Sequence, residues 1–546
     1  MPGHRPAFHF TPERGRLNDP NGLIRLEGAG HDLWHVFYQL DPGFPAEPRR
    51  TGWGYATSED LLTWRHRPQA LFPDDAYDAD GCFSGGAVAP QRPGDPVELF
   101  YTGNLPVPAE FAGHGSGSDP AAVPGAGAGA GAGAACLAEA FPDGVPVGHV
   151  WGATQNLALA EQLSDGSLAV PVKHPANPLI PGPPPGFTAH YRDPIVTEDP
   201  DRPGLWRMLL GARTDDDRGT ALLHFSRDRR TWDAGRELVI DGPSPGGYMW
   251  ECPNLLRMTD AASGAEADVL ILSPQGIRAD AGDALRNRYQ CGYLVGHLEL
   301  PDAPDAAAVF HVTTPFTELD HGFEFYAPQV FTDATAADAT SQRRPVMLGW
   351  MGMPEEDDHP TITAEGWLHC LTFARELSLY DGRLLQSPVL PSGDDLPIVG
   401  DGHVGDVFRV RLDGNGIVEL RGTTALGSST TGSTAGEDAA ADGADSADSA
   451  DSTGHEDAPL VTVSLSGDRV TVTRRNAGVP NHFGDERATT LRPIASSTPG
   501  GGAGSGAAHH LDVIVDRSAI EIIADDGAAL FSLRAFSADG AWTVRL

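Results

Sequence analysis

The feature that most constrains the fold is a unit that recurs between Asn18 and about Leu385. Each copy opens with a polar or acidic turn-like motif and continues with an apolar, strand-like run. The opening motifs are NDPNGL, FSGGAV, YRDPIV, WECPNLL and FEFYAPQVF, and the runs that follow them are LWHVFYQL, VELFYTGN, LWRMLLGA, VLILSPQG and RPVMLGWMG. Five units of three or four short strands predict a five-bladed β-propeller. Because the first strand of each blade lines the central channel, the opening motifs should converge on one funnel.

Beyond about residue 400 the pattern changes to short runs in which apolar and polar residues alternate, such as FRVRLDG, VTVSLSG and LDVIVDRSAIEIIAD. A period of two is typical of half-buried antiparallel strands. The sequence therefore predicts an all-β chain, with a five-bladed β-propeller over residues 1–390 and a C-terminal β-sandwich over residues 400–546. Low-complexity inserts at about 112–147, 424–458 and 494–508 are expected to be disordered surface loops.

Composition limits the partners of this chain. A formal net charge of −37 should repel phosphate backbones and anionic lipids, which argues against nucleic acid or a membrane as partner and is compatible with a neutral substrate. The N-terminus has no apolar signal-like region, and no run approaches 18 apolar residues. The five cysteines are widely spaced and form no CxxC pair, so neither a disulfide framework nor a zinc site is expected. These features predict a cytoplasmic protein.

Three acidic residues open different repeats. Taken alone, the string NDPNG around Asp19 is a tight-turn sequence, Asp193 after Arg192 is explained by a local ion pair, and Glu251 after Trp250 by an ordinary strand position. Chance explains three carboxylates that each open a propeller unit much less well than it explains any one of them. If the repeats are blades, all three carboxylates point into the same channel.

Such a set of groups suits the hydrolysis of a glycosidic bond. One carboxylate attacks the anomeric carbon, and a second carboxyl group protonates the departing oxygen and later activates water. A further negative charge would stabilise the oxocarbenium-like transition state, and polar and aromatic side chains would hold the sugar. The chain has no P-loop, no GxGxxG behind a strand, no HExxH and no GxSxG, and neither a metal nor a cofactor is predicted.

These motifs resemble those of glycoside hydrolase family 32, which contains invertases, sucrose-6-phosphate hydrolases and fructan hydrolases. The resemblance covers nearly the whole chain apart from the inserts. It implies that Asp19 of NDPNG is the nucleophile, that Asp193 of RDP stabilises the transition state, and that Glu251 of EC is the general acid/base. The sugar-binding residues expected on the same grounds and from the chemistry above are Asn18, Gln39, Trp53, Phe83, Ser84, Arg192, Tyr326 and Trp350.

Two departures from the family pattern concern the pocket. Arg16-Leu17 stands where the family often has Trp-Met, and Asn254 stands where many relatives carry Asp. Cys252, beside the acid/base, is interpreted as a small buried packing residue instead of a reactive thiol. The sequence thus predicts a retaining β-fructofuranosidase that releases fructose, with sucrose as the first choice of substrate. Fructosyl transfer and a non-catalytic sugar-binding propeller are the alternatives, and the choice among sucrose, sucrose 6-phosphate and short fructans stays open.

Overall fold

The computed structural model describes residues 3–28, 31–105, 152–279, 282–301, 306–333, 344–354, 356–422, 458–475, 477–481, 483–492 and 508–546. The predicted inserts lie outside these residues, except for positions 458 and 508 at their ends. In the described residues nearly all regular structure is β, and helix is confined to Pro360–Ala364 and two 3-10 turns, Ala76–Asp78 and Gly393–Asp395. The prediction of an all-β chain is therefore confirmed. No helix in these ranges has the length and apolar character that crossing a bilayer requires.

The strands up to Pro388 form four sheets. They are β1 (Gly15–Gly28), β2 (His31–Asp41), β3 (Gly52–Ser58), β4 (Trp64–Leu71), β5 (Gly81–Val88), β6 (Val97–Asn104), β7 (Ala153–Ala160), β8 (Val172–Lys173), β9 (Phe187–Glu198), β10 (Trp206–Thr214), β11 (Gly219–Ser226), β12 (Arg236–Asp241), β13 (Met249–Thr259), β14 (Glu266–Gln275), β15 (Gly292–Glu299), β16 (Ala308–Glu318), β17 (Tyr326–Val330), β18 (Thr332–Asp333), β19 (Val346–Met351), β20 (Trp367–Leu368), β21 (Cys370–Leu371), β22 (Arg375–Tyr380) and β23 (Arg383–Pro388).

The sheets follow the repeats of the sequence. Strands β1–β4 and β5–β8 form the first two sheets, and β17 pairs with β19, β22 and β23 in another. The eight-stranded sheet consists of two antiparallel meanders, β9–β12 and β13–β16, joined by parallel pairing of β12 with β16. Each repeat therefore folds mainly as a local antiparallel unit, as expected for strands joined by short connections.

The first strands of the repeats form a closed ring. Strand β1 packs against β5, β5 against β9, β9 against β13, β13 against β17, and β17 returns to β1. Backbone pairing also joins the ends of this region, because β1 pairs in parallel with β18 and β20 of the last repeat. The ring brings the opening motifs, which are distant in sequence, to one place.

Two further sheets follow Val404. Their strands are β24 (Val404–Gly405), β25 (Val407–Asp413), β26 (Gly416–Arg421), β27 (Val461–Ser466), β28 (Arg469–Arg474), β29 (Glu486–Thr490), β30 (His510–Asp516), β31 (Ala519–Ala524), β32 (Ala529–Arg534) and β33 (Trp542–Arg545). One sheet has the order β24-β33-β26-β27-β28-β29 and the other β25-β30-β31-β32, and apolar side chains of both enclose a common core. Burial alternates residue by residue along β27 and β28, as the period of two predicts.

A buried cluster of charges joins the C-terminal sheets to the rest of the chain. His9 lies between Asp516 and Glu521, with ring nitrogens 2.8 and 3.2 Å from their carboxylate oxygens. The Arg375 guanidinium contacts Glu521 at 3.1 Å and Asp320 at 2.8 Å. We call these five residues the interface cluster. All five side chains are fully buried, so each charge depends on its partners inside the protein.

Candidate active site

The opening motifs share a local irregularity that positions their side chains. Proline follows Asp19, Asp193, Cys252 and Ala327, and the antiparallel pairing shifts register at each of these places. Proline has no N–H to give to the ladder, so regular pairing is interrupted there. Asp193, Cys252 and Ala327 adopt positive φ angles of 69°, 47° and 45°. Bulges of this kind redirect side chains, and here they do so where the inner strands line the ring.

Asp19, on β1, is held by two polar neighbours. The Ser84 hydroxyl donates to Asp19 Oδ2 at 2.5 Å, and the Asn18 amide donates to Oδ1 at 3.2 Å. Gln39 links these two donors, because its amide nitrogen donates to Ser84 Oγ at 2.6 Å and its oxygen accepts from Asn18 at 2.5 Å. Burial raises the pKa of Asp19 and the Glu251 charge adds to that effect, while Ser84, Asn18 and the Arg16 charge oppose it.

Asp193, on β9, is only 3% exposed. The backbone N–H of Cys252 donates to its Oδ2 at 2.9 Å, and its own N–H donates to Thr102 Oγ1 at 3.0 Å. Burial raises the pKa of Asp193 to about 7, with Arg192 opposing the shift and the charges of Glu251 and Asp19 reinforcing it. The carboxyl group is therefore harder to ionise than an exposed aspartate.

Glu251, on β13, receives four hydrogen bonds. Arg192 donates to Oε1 from Nε at 3.0 Å and from Nη2 at 2.6 Å. Gln275 donates to Oε2 at 2.6 Å, and the Tyr326 hydroxyl donates to the same oxygen at 2.5 Å. This arrangement holds the carboxylate in one orientation, and the charged fork of Arg192 is the strongest of the contacts.

The three acids belong to one connected group. Cys252 follows Glu251 in sequence, donates its N–H to Asp193, and has its Sγ 3.7 Å from Asp19 Oδ2. Asp19, Arg192 and Glu251 retain partial exposure, whereas their supporting partners Asn18, Gln39, Ser84 and Tyr326 are buried. The arrangement places the partly exposed carboxyl groups of Asp19 and Glu251 in front of buried polar partners, with Asp193 buried beside them. Carboxyl groups can act chemically as nucleophiles or as proton carriers.

The aromatic residues expected at the sugar pocket differ in position. Phe83 is half-buried, and Tyr326 contacts Glu251 directly. Trp350 is buried and lies between Tyr326 and the Arg16 guanidinium. Trp53 is fully buried in the core, and its indole N–H donates to the Phe83 carbonyl at 3.0 Å. Sugar contacts for these residues stay a prediction.

Asn254, one of the two departures, ties β13 to β17. Its amide nitrogen donates to the carbonyls of Cys252 at 2.9 Å and Pro328 at 3.1 Å, and its oxygen accepts from the Val330 N–H at 3.2 Å. An aspartate carboxylate could not donate to those two carbonyls. The amide therefore suits the local backbone and helps to hold the Cys252 bulge.

The assignments made from the sequence omitted Gln275 and gave Arg16 no role in the site. Gln275 contacts Glu251 because β14 pairs with β13, but its only sequence signal is its place at the end of the run VLILSPQ. Arg16 was recognised as a departure without a role, yet its Nη1 donates to Asn18 at 2.8 Å.

Cys252 is 4% exposed, and burial raises the pKa of its thiol well above the ordinary value, which agrees with its interpretation as a packing residue.

A comparison with protein-family models places the chain. Residues 9–112 and 148–388 match the model described as the glycosyl hydrolases family 32 N-terminal domain. This chain belongs to glycoside hydrolase family 32. The matched residues include the NDPNG, RDP and EC motifs, so the resemblance seen in the sequence is confirmed.

Curated relatives of this family 32 chain have similar descriptions. The sucrose-6-phosphate hydrolase of Bacillus subtilis is 35% identical over 391 residues, which span 71% of this chain and 65% of that protein. The sucrose-6-phosphate hydrolase of Klebsiella pneumoniae is 34% identical over 71% of this chain and 67% of its own length. The chain thus spans about two thirds of the relatives that it matches.

Solved structures extend the likeness to the whole fold. The sucrose-6-phosphate hydrolase of Lactobacillus gasseri superposes with a TM-score of 0.67 at 22% identity, covering 99% of this chain and 90% of that one. The GH32 β-fructofuranosidase of Bombyx mori gives a TM-score of 0.62 at 26% identity, with the same coverage. A point mutant of the Bombyx protein was solved in complex with sucrose. These likenesses fit a β-propeller followed by a β-sandwich.

Proposed function

We propose that this family 32 chain is a retaining β-fructofuranosidase that releases fructose from sucrose, on a five-bladed propeller over residues 1–390 with a sandwich over residues 400–546. The observation that carries the proposal is the connected group of Asp19, Asp193 and Glu251, contributed by three strands of the ring. Membership of family 32 and the descriptions of the matched relatives support the same reaction. The proposal assigns the nucleophile to Asp19 and the general acid/base to Glu251.

In the first half of the reaction, an Asp19 oxygen attacks C2 of the fructosyl unit. The bond from C2 to the glycosidic oxygen breaks, and Glu251 gives its proton to that oxygen as glucose leaves. Asn18 and Ser84 hold the nucleophile's two oxygens in a fixed direction, which reduces the cost of aligning them with C2. The product of this half is a covalent fructosyl ester of Asp19.

Glu251 must carry a proton when it acts as an acid. In the free protein Arg192 and Gln275 place N–H donors against both of its oxygens, so a proton on Glu251 has room only after one of these donors withdraws. Arg192 is the natural candidate, since fructose hydroxyl groups entering the site compete for its N–H groups. In the proposed order of steps, substrate binding moves the Arg192 guanidinium from Glu251 to the sugar, and Glu251 then takes up a proton.

In the second half, the Glu251 carboxylate removes a proton from water, and the water oxygen attacks C2 while the Asp19 carboxylate departs. Two inversions give retention of configuration. The positive charge that develops on the sugar ring in both steps is stabilised by Asp193, whose carboxylate is held by the Cys252 N–H. This mechanism predicts that the Asp19 and Glu251 carboxyl groups lie about 5–5.5 Å apart.

The test is the release of glucose and fructose from sucrose by the purified protein. Asp19→Asn should abolish release, whereas Asp165→Asn, at an exposed aspartate paired with Arg67, should leave it unchanged. Proton NMR in the first seconds of turnover should detect the β anomer of fructose before it equilibrates. Sucrose binding without glucose release would indicate a sugar-binding module, and initial release of the α anomer would exclude double displacement.

Two finer questions have direct experiments. The matched relatives are described as sucrose-6-phosphate hydrolases, so the kcat/KM values for sucrose, sucrose 6-phosphate and inulin should be compared. A higher value for the phosphorylated sugar would replace sucrose as the proposed substrate. Incubation at high sucrose concentration, followed by chromatography, distinguishes hydrolysis from transfer, since a transferase would produce mainly oligofructosides.

A further inference from the structure

Arg16 lies at the start of β1, two residues before Asn18, and is only 5% exposed. Its Nη1 donates to Asn18 Oδ1 at 2.8 Å, and its Nε donates to Asp357 Oδ1 at 2.8 Å. The guanidinium carbon is 5.4 Å from the centre of the Trp350 ring. The other Asp357 oxygen accepts from Arg49. Asp357 and Trp350 thus hold the Arg16 guanidinium in place while its Nη1 group is directed at Asn18.

The contact with Arg16 decides which way the Asn18 amide faces. Arginine has only donors, so it must meet the carbonyl oxygen of the amide. The NH₂ group of Asn18 is then turned toward Asp19 Oδ1 and Gln39 Oε1. The reversed amide would bring its oxygen against the Asp19 carboxylate and its NH₂ group against a guanidinium, and both contacts would be repulsive.

Arg16 also contributes charge where positive charge is scarce. Glu251 from β13 and Asp193 from β9 lie near Asp19, together with the Cys252 thiol and the Tyr326 hydroxyl from β13 and β17. Arg192, the other cation of this group, is bonded to Glu251. The groups that face Arg16 itself are Asp357, Arg49, Asp41 and His369. Among Arg16, Arg49 and Arg192, Arg16 is the one that reaches Asp19 through a single intervening amide.

We propose that Arg16 is a positioning residue for the nucleophile, which fixes the Asn18 amide with its NH₂ group toward Asp19. The inference rests on the proposed role of Asp19. It gives a function to a departure from the Trp that relatives often carry at this position. The reason is physical: an indole has a single N–H donor and no charge, so it could neither bond to Asn18 and Asp357 together nor supply a positive charge.

The test compares Arg16→Met and Arg16→Lys with a control on the same strand. Arg25→Met is matched, because Arg25 is 3% exposed, pairs with Asp32 and lies over Trp34, roughly 25–30 Å further along β1. The measurements are the pH profile of kcat/KM for sucrose, kcat itself, and the thermal unfolding midpoint. The profile and kcat report on the nucleophile, whereas the midpoint reports on folding.

Arg16→Met should shift the acidic limb of the kcat/KM profile upward, since a positive charge near Asp19 is lost. It should also lower kcat by roughly ten- to a hundred-fold, because the Asn18 amide is freed to turn. Arg16→Lys keeps the charge but not the guanidinium fork, so the limb should stay near its original pH while kcat still falls. Arg25→Met should change neither.

Three results would overturn the inference. The first is a folded Arg16→Met protein with the original profile and kcat. The second is an effect confined to KM for sucrose 6-phosphate, which would make Arg16 a phosphate contact. If Arg16→Met fails to fold, Arg16→Lys is the deciding variant. An unchanged kcat for Arg16→Lys is then the third result that would overturn the inference. Activity of Asp19→Asn would instead refute the proposed function, so the two failures are distinguishable.

Discussion

The active-site group and the interface cluster bury the same kinds of side chain but balance their charges in opposite ways. In the interface cluster, burial opposes ionisation of Asp516 and Glu521, yet their cationic partners and backbone N–H groups lower both pKa values. His9 between them has a raised pKa for the same reason, although burial acts against it. In the active-site group, burial prevails and the pKa values of Asp19 and Asp193 are raised.

The difference lies in which groups bond directly to each acid. The interface cluster sets His9 and Arg375 among three carboxylates and adds the backbone N–H groups of residues 7–9 as donors to Asp516. The active-site group crowds its acids together and commits Arg192 to one of them. Buried acids that bond directly to cations and backbone N–H groups are favoured in their ionised form, whereas crowded acids with fewer such partners cost stability. In the proposed mechanism that crowding favours a reaction in which positive charge develops, so the same chemistry would serve structure in one region and catalysis in the other.

The largest expected effect comes from removing the acid/base alone. Glu251→Gln should lower kcat for sucrose roughly 10²–10⁴-fold, because the proposed mechanism passes both proton transfers through Glu251. The unfolding midpoint should change little, because the glutamine oxygen can still accept from Arg192 while its NH₂ group donates to the Tyr326 hydroxyl and to the oxygen of a reoriented Gln275 amide. Steady-state kinetics and thermal unfolding on the same preparation would check both. Nearly normal turnover would remove Glu251 from the mechanism.

The same substitution in the other region should have the opposite signature. Glu521→Gln leaves His9 and Arg375 without one of their buried counter-charges, which should reduce the free energy of unfolding by about 3–5 kcal/mol. The kcat of the molecules that remain folded should match that of the wild type. Urea unfolding with a parallel assay tests this contrast. An undiminished stability would show that the interface cluster is not a structural device.

Asp193→Asn should make the protein more stable at alkaline pH. Because the folded-state pKa is raised to about 7 from the ordinary 3.8, ionised Asp193 destabilises the fold above pH 7, and this cost disappears as the pH falls toward 4. The variant should gain about 2–4 kcal/mol at pH 8 and little at pH 4. Unfolding midpoints across this range are the measurement. A gain that is independent of pH would contradict the electrostatic explanation.

The smallest expected effect concerns His9. Its raised folded-state pKa means that protonated His9 stabilises the fold fully below its ordinary pKa of 6.5, and that this contribution is lost as the pH rises through the folded-state value. His9→Gln should therefore cost about 1.5 kcal/mol at pH 5.5 and progressively less in alkaline solution. Thermal unfolding at several pH values checks the sign. A deficit that grows with pH would mean that His9 is neutral in the fold.

Sequence patterns predicted the inner strands because each repeat signals itself locally. An apolar run bounded by a turn-like motif indicates a strand wherever it occurs, so the motifs around Asp19, Asp193 and Glu251 could be placed at the starts of units. Gln275 and Asp357 carry no such signal. Gln275 reaches Glu251 only through the pairing of β14 with β13, and Asp357 reaches Arg16 across more than 300 residues of chain. No local pattern encodes contacts of that kind.

The amino-acid sequence by itself determined the all-β class, the repeating units, the family and the three acids, because strand period, turn chemistry and motif residues are local properties of the chain. Only the tertiary structure decided which groups compensate which charges. It committed Arg192 to Glu251, set Arg16 behind Asn18, and enclosed His9 between two carboxylates. The reason is physical: the state of a buried charge depends on the atoms within a few ångströms of it, and the closing of the ring brings those atoms from distant parts of the chain.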